Sequence, residues 1–356
     1  MQYDNIHFER INLQNSDEYN LWQDFLKSSG ITNFSDKEVS GLDETYCGFN
    51  ENNKIVATGS LQNNILKYLA VSSEYRGEGS LFNQMVSHLT QRLFLRGINH
   101  WLVFTKPMYR KSFSSTGFHV LAETNNGLLL EGGMSGIEDY LDSLPKPDIS
   151  TNANISSIVM NANPFTRGHK ALVKEASTQS DYVYVFVVSE DASLFNTNER
   201  FQLVKEGCRD FDNVLVVPGK EYMVSYATFP SYFLSSNDEM IKFQTELDAD
   251  LFKKQIAPKL KITTRYLGDE PFSHTTGIYN QTLSKILPPE VNVKIIDRKT
   301  NVDGEIITAT EVRKLIKEDQ LEQISKFVPE TTFNFIKENK IMLQDRIKKG
   351  MKISGN

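Results

Sequence analysis

The apolar positions of this chain change period from one stretch to the next. From Asp17 to Ser29, Leu21, Trp22, Phe25 and Leu26 fall on one face of a helix that Gly30 ends. Residues 1–12 read as a short strand with Ile6, Phe8 and Ile11 inward. Strand-like runs at 46–49 and 54–61 are joined by the turn signal Glu51-Asn52-Asn53, and a third covers 65–71, which predicts an antiparallel set. Then Leu81, Phe82, Met85, Val86, Leu89 and Leu93 recur at helical spacing until Gly97. The second half is patterned differently. The run at 155–160 ends in consecutive apolar residues, Ile158, Val159 and Met160, and the run at 182–188 is apolar without alternation, as in a strand covered on both faces. Further runs at 213–217, 261–267 and 291–296 are interleaved with helical segments at 168–177 and 198–208. Such an order predicts a mostly parallel sheet with right-handed crossovers.

Between the two patterns lies the polar run Pro145-Lys146-Pro147-Asp148, then Ser150-Thr151-Asn152. Such composition marks a junction. The expected organisation is α/β: a mixed α+β domain over 1–147 and a Rossmann-like domain over 148–356. A length of 356 residues suits two cores. The net charge of -6 argues against a general polyanion binder, so no nucleic-acid partner is expected. Cys47 and Cys208 lie far apart and make neither a metal-type cluster nor a disulfide framework, which fits a reducing cytoplasm. The N-terminus lacks a long apolar core, and no stretch approaches membrane-spanning length, so no membrane role is expected.

Candidate chemistry gathers in the second half. Asn161-Ala162-Asn163-Pro164-Phe165-Thr166-Arg167-Gly168-His169 stands between a buried strand and a helix start. Free N–H groups there can hold an anion; Gly168 admits a ligand close to backbone, and Thr166 and His169 supply donors. The alternative is an ordinary strand-to-helix turn carrying a surface histidine. Gly268-Asp269-Glu270 directly follows a strand, at the end where ligands collect in open α/β sheets. Thr308 with Glu311 has capping-box spacing, and Thr310 and Arg313 follow within a turn. These groups could hold terminal phosphates, or simply begin a helix. Arg167 is a phosphate candidate; Arg200 reads as either a phosphate contact or a solvated side chain. His88 reads as packed or half-exposed, His119 as a strand residue after Phe118, and His274 as either a residue facing the ligand or a loop residue in solvent. No His/Asp/Glu set has metal-ligand spacing. Arg346, Lys348, Lys349 and Lys352 suggest a frayed basic end.

Three resemblances sharpen this. The strand–"YRGEG"–helix–strand–"MYRKSFSSTGF" order resembles the GNAT acyltransferase fold, although Leu81 stands where that family usually has Gly or Ala. The resemblance implies that Arg76, Gly77 and Gly79 hold the pyrophosphate of a CoA-like ligand. "NPFTRGH" and "ITATEVR" resemble the paired signatures of the nucleotidylyltransferases. That implies Thr166, His169 and Arg313 as catalytic residues, with Asn161, Asn163, Phe165, Arg167, Gly168, Gly268, Glu270, Thr308 and Thr310 around ATP. The two halves together, with "VVSEDASLF", "SYATFPSYFL" and "YLGDEP", resemble the citrate lyase ligase family. Membership implies a ligase that uses ATP and Mg²⁺ to activate acetate as acetyl adenylate. The acetyl group then goes to the thiol of a dephospho-CoA-derived prosthetic group on the citrate lyase acyl carrier subunit. The competing expectations are a nucleotidylyltransferase acting on a phosphorylated cofactor precursor, and a non-catalytic nucleotide- or acyl-CoA-sensing module.

Overall fold

A computed structural model describes residues 5–32, 34, 36–75, 80–148, 152–189, 193–223, 237–269, 274–297, 307–351 and 353. The chain divides into two compact units, Met1–Tyr140 with Phe229–Phe243, and Leu141–Thr228 with Gln244–Asn356.

The first unit is built on a seven-stranded sheet in the order β1-β2-β3-β4-β5-β7-β6. Its strands are β1 (His7–Ile11), β2 (Glu44–Phe49), β3 (Ile55–Gln62), β4 (Ile65–Val71), β5 (His100–Thr105), β6 (His119–Glu123) and β7 (Leu128–Gly133). Its helices are α1 (Ser16–Ser28), α2 (Asp36–Ser40), α3 (Ser80–Leu95), α4 (Arg110–Ser114) and the start of α5 (Ile137–Ser143). β1 to β4 pair antiparallel, as their alternation and turns predict. β4 and β5 are parallel and pair only at Ile65↔Leu102 and Leu66↔Val103, so the two strands part beyond Leu66. Successive side chains of a strand face opposite sides. Cys47 therefore packs with Trp22 and Leu26 of α1, whereas Tyr46 packs with Met85 and Leu89 of α3. Leu81 is buried in that second cluster, which accounts for a large side chain at the start of α3. The expected inward face of α1 needs one correction. Leu21 is 61% exposed, because Trp22 and Leu26 already fill the contact with the sheet.

The second unit holds a five-stranded sheet in the order β10-β9-β8-β11-β12, parallel throughout. The strands are β8 (Ile155–Met160), β9 (Tyr182–Val187), β10 (Val214–Pro218), β11 (Ile262–Gly268) and β12 (Asn292–Ile296). The unit also holds α6 (Arg167–Thr178), α7 (Thr197–Gly207), the part of α8 (Asn237–Leu251) from Gln244 on, α9 (Ala257–Leu260), α10 (His274–Ile286), α11 (Ala309–Lys317), α12 (Leu321–Ile324), α13 (Glu330–Glu338) and α14 (Lys340–Lys348). The chain builds outward from β8 on one side, then returns to start β11 on the other. The strand order thus reverses between β8 and β11. In open parallel sheets that switch point opens a crevice beyond the strands' carboxyl ends, where ligands bind. Ile158, Val183, Val185 and Tyr266 of the sheet share one core with Val173 of α6 and Val312, Leu315 and Ile316 of α11. This core fixes both helices against the sheet.

Among the described residues, α14 with Arg346 and Lys348 is not frayed, and Lys352 lies outside them. Leu343 of α14 is fully buried, and Arg346 donates two hydrogen bonds to Glu199, at 2.7 and 2.9 Å, and one to Leu194 O. His274 is the first residue of α10 rather than a loop residue. No described helix is long and apolar enough to cross a membrane.

Candidate active site

The turn after β8 is held by bonds to residues distant in sequence. Ala162 adopts a left-handed φ of 51° while 2% exposed, a conformation that a non-glycine residue keeps only when its surroundings impose it. The imposing contacts can be named. Asn163 Oδ1 accepts the Phe195 N–H at 3.2 Å, and Asn163 O accepts Arg313 NH1 at 2.5 Å. Arg200 donates to Asn161 O and Asn161 Oδ1, at 2.9 and 2.8 Å. Phe165 is fully buried beside Gly207 of α7, where a Cβ would lie 2.4 Å from its ring.

Thr166 caps α6. Its hydroxyl accepts the His169 N–H at 3.3 Å, and His169 Nδ1 accepts the Thr166 N–H at 3.0 Å. The His169 ring stacks on Phe165, with centroids 5.8 Å apart. Because Nδ1 accepts, the proton of the neutral ring sits on Nε2. The Arg167 N–H goes to Phe327 O. Gly168 N–H donates to no group among the described residues, so it is the free donor of this helix start. A Cβ on Gly168 would meet only ordinary contacts, 3.5 Å from Thr166 Oγ1 and 3.6 Å from Ile307. Packing therefore does not require glycine here; close approach of a ligand would.

A second helix start stands beside the first. Thr308 caps α11 by accepting the Glu311 N–H at 3.0 Å. The Glu311 side chain pairs with Lys314. Ile307 lies against Gly168, and Arg313 reaches from α11 to Asn163 O, so α6 and α11 begin side by side. Arg313 is fully buried; its other donors meet Thr310 Oγ1 at 3.0 Å and Ile353 O at 2.8 Å. Two positively polarised helix ends and their free N–H groups form a site suited to a polyphosphate.

The remaining sequence candidates fall in four groups. Gly268 ends β11 across the switch point, its carbonyl accepting from Asn280 Nδ2 at 3.1 Å. Arg167 is exposed and its guanidinium rests on Ser325 O, so its side chain leans on the segment after α12. Glu270, and Arg76, Gly77 and Gly79 of the first unit, lie outside the described residues. Arg200 is neither solvated nor aimed at solvent. It is 0% exposed and bound to the turn. Ser193, which accepts from Asn161 Nδ2 at 3.4 Å, stands in the stretch "VVSEDASLF" but was not singled out there, and Asn280 carried no motif and was legible only in three dimensions. Burial pushes the Cys208 thiol, at the end of α7, up to about 12, so it supplies no thiolate here.

A parallel sheet with two capped helix starts at its switch point defines a Rossmann-like unit of the nucleotidylyltransferase kind. Residues 155–336 match the citrate lyase ligase C-terminal domain. The chain is 35% identical over 340 residues to the [citrate [pro-3S]-lyase] ligase of Haemophilus influenzae, covering 93% of this chain and 98% of that one. It is 33% identical to the ligase of the same name from Escherichia coli, over 85% and 87% of the two chains. The chain belongs to the citrate lyase ligase family. A shorter likeness, 27% over 114 residues, joins it to a phosphopantetheine adenylyltransferase of Streptococcus agalactiae, covering 31% of this chain and 70% of that one. A GNAT-family acetyltransferase of Staphylococcus aureus is similar at 12% identity and a TM-score of 0.31, over 36% of this chain and 99% of that one.

Proposed function

We propose that this protein acetylates the prosthetic-group thiol of a citrate lyase acyl carrier subunit at the expense of ATP, as membership of the citrate lyase ligase family implies. The observation that carries the nucleotide half is the junction of the two helix starts. Arg313 of α11 is bonded to the turn that caps α6, so both starts address one point beyond β8 and β11.

In the first step an acetate oxygen bonds to the α-phosphorus of ATP, and the bond from that phosphorus to the bridging oxygen of pyrophosphate breaks. Acetate is ionised at neutral pH and needs no general base. The demand is in-line positioning and stabilisation of charge on phosphate oxygens. The Gly168 N–H and the His169 Nε2–H are the donors placed for the α- and β-phosphates. The α11 start, with Thr308 and Thr310, holds the leaving pyrophosphate. Arg313 serves this by holding the two starts together and adding positive potential. Thr166 orients His169. Mg²⁺ would be carried by phosphate oxygens and water and would lower the triphosphate charge.

In the second step the thiol attacks the acetyl carbon, the bond to AMP breaks, and the thiol proton passes to solvent. We assign the CoA-like prosthetic group to the first unit, at Arg76, Gly77 and Gly79, as the acyltransferase resemblance of "YRGEG" implies. A cytoplasmic setting suits two free, buried cysteines. The test is pyrophosphate release with and without acetate, with hydroxylamine present to trap acetyl hydroxamate. Acetate-dependent release with hydroxamate supports the ligase. Release that needs a phosphorylated acceptor and ignores acetate would establish an adenylyltransferase instead.

A further inference from the structure

We infer that Arg200 is a positioning residue that locks the Asn161 amide with its Nδ2 outward, as a donor to an anionic substrate oxygen on the floor of the crevice. Asn161 is the first residue after β8, the strand beside the switch point. Its backbone and its side-chain oxygen both accept from one nitrogen of Arg200, at 2.9 and 2.8 Å. Arg200 is itself fixed. It is 0% exposed and also donates to Val188 O at 2.6 Å, Phe195 O at 3.1 Å and Thr197 Oγ1 at 3.1 Å. Those acceptors follow β9 and open α7, so the guanidinium ties two strand ends and a helix start to one amide.

The chemistry of the pair settles the amide's orientation. A guanidinium has donors only, and an amide has one oxygen and one NH₂. Flipping Asn161 would set donors against donors in a buried place and leave both unsatisfied. Oδ1 therefore faces Arg200 and Nδ2 faces away. The contact recorded for Nδ2 is a long one, 3.4 Å to Ser193 Oγ, and Asn161 is partly exposed. A held donor with weak occupation, beyond the end of the central strand, is suited to an oxygen that carries or gains negative charge. Resting on the ligase reading above, two substrate oxygens have that chemistry, the acetate carboxylate and the α-phosphate.

A double-mutant cycle of Arg200→Lys and Asn161→Ala tests this, read as kcat/KM for acetate-dependent pyrophosphate release with a thermal melt of each variant. Asn161→Ala should lose about 100-fold, the usual cost of one oxyanion donor, with little change in Tm. If Arg200 acts through Asn161, Arg200→Lys should add no further loss in the Asn161→Ala background. Multiplicative losses, or full activity in Asn161→Ala, overturn the inference. If Arg200→Lys fails to fold, Asn161→Asp replaces it: the carboxylate keeps the Arg200 contact but cannot donate, so a folded, inactive protein is expected and full activity refutes the role. A rise in the KM for acetate alone identifies the carboxylate as acceptor; a fall in kcat at unchanged KM identifies the α-phosphate. Wild-type protein that ignores acetate refutes the ligase reading. The same cycle measured on ATP binding then reads the coupling by itself, and additivity there overturns it.

Discussion

His169 and Thr166 cap each other. The ring Nδ1 takes the Thr166 N–H at 3.0 Å while the Thr166 hydroxyl takes the His169 N–H at 3.3 Å. One side chain thus starts the helix and presents its own Nε2–H. Replacing it should cost on both accounts. His169→Ala is expected to lower stability by about 1 kcal/mol, the usual size of a lost cap contact. Acetyl hydroxamate formation should fall by about 100-fold or more. A folded His169→Ala protein with wild-type hydroxamate yield would remove His169 from the chemistry.

Gly168→Ala separates binding from folding. The added methyl meets Thr166 Oγ1 at 3.5 Å and Ile307 at 3.6 Å, both ordinary contacts, and alanine favours the helix over glycine. The Tm should hold or rise slightly. ATP affinity, measured by calorimetry, should fall about tenfold or more, because the methyl occupies the approach to the free N–H. Unchanged affinity would mean that no phosphate comes close to this turn.

Removing residues 350–356 should damage the site from a distance. Ile353 O accepts Arg313 Nε at 2.8 Å, and Arg313 is fully buried. A buried charged donor that loses its acceptor costs about 1–3 kcal/mol. The truncated protein should melt earlier and release pyrophosphate more slowly, while Arg346 keeps its bond to Glu199 and α14 remains docked. A truncation with the same Tm and rate would show that Arg313 needs no support from the tail.

Alkaline pH should unfold this protein through its thiols. Burial pushes Cys47 and Cys208 from the ordinary value near 9 up to about 12. Between these values the unfolded chain has lost protons that the folded chain keeps. The stabilisation is therefore complete below about pH 9 and drains away as pH rises toward 12, by up to about 1.4 kcal/mol per pH unit for each thiol. Comparing Tm against pH for wild type and Cys208→Ala isolates one thiol; the variant's curve should fall less steeply above pH 9. Parallel curves would contradict the shift at Cys208.

What the sequence settled by itself is short-range. The strand runs of the second sheet follow from periodicity, and the caps at Thr166 and Thr308 from bonds spanning three residues, which any segment of that sequence can form. Where helical segments lack a single apolar face, legibility fails. In α14, Ile341 is 72% exposed while Leu343 is buried, and nothing local distinguishes them. The tertiary structure decided the long cationic side chains. Arg200, Arg313 and Arg167 reach Asn161, Asn163 and Ser325 across 39, 150 and 158 residues. A guanidinium on a flexible stem can meet solvent, phosphate or a carbonyl at similar local cost. Only the packing of β8, α7 and α11 determines which of these lies within its reach.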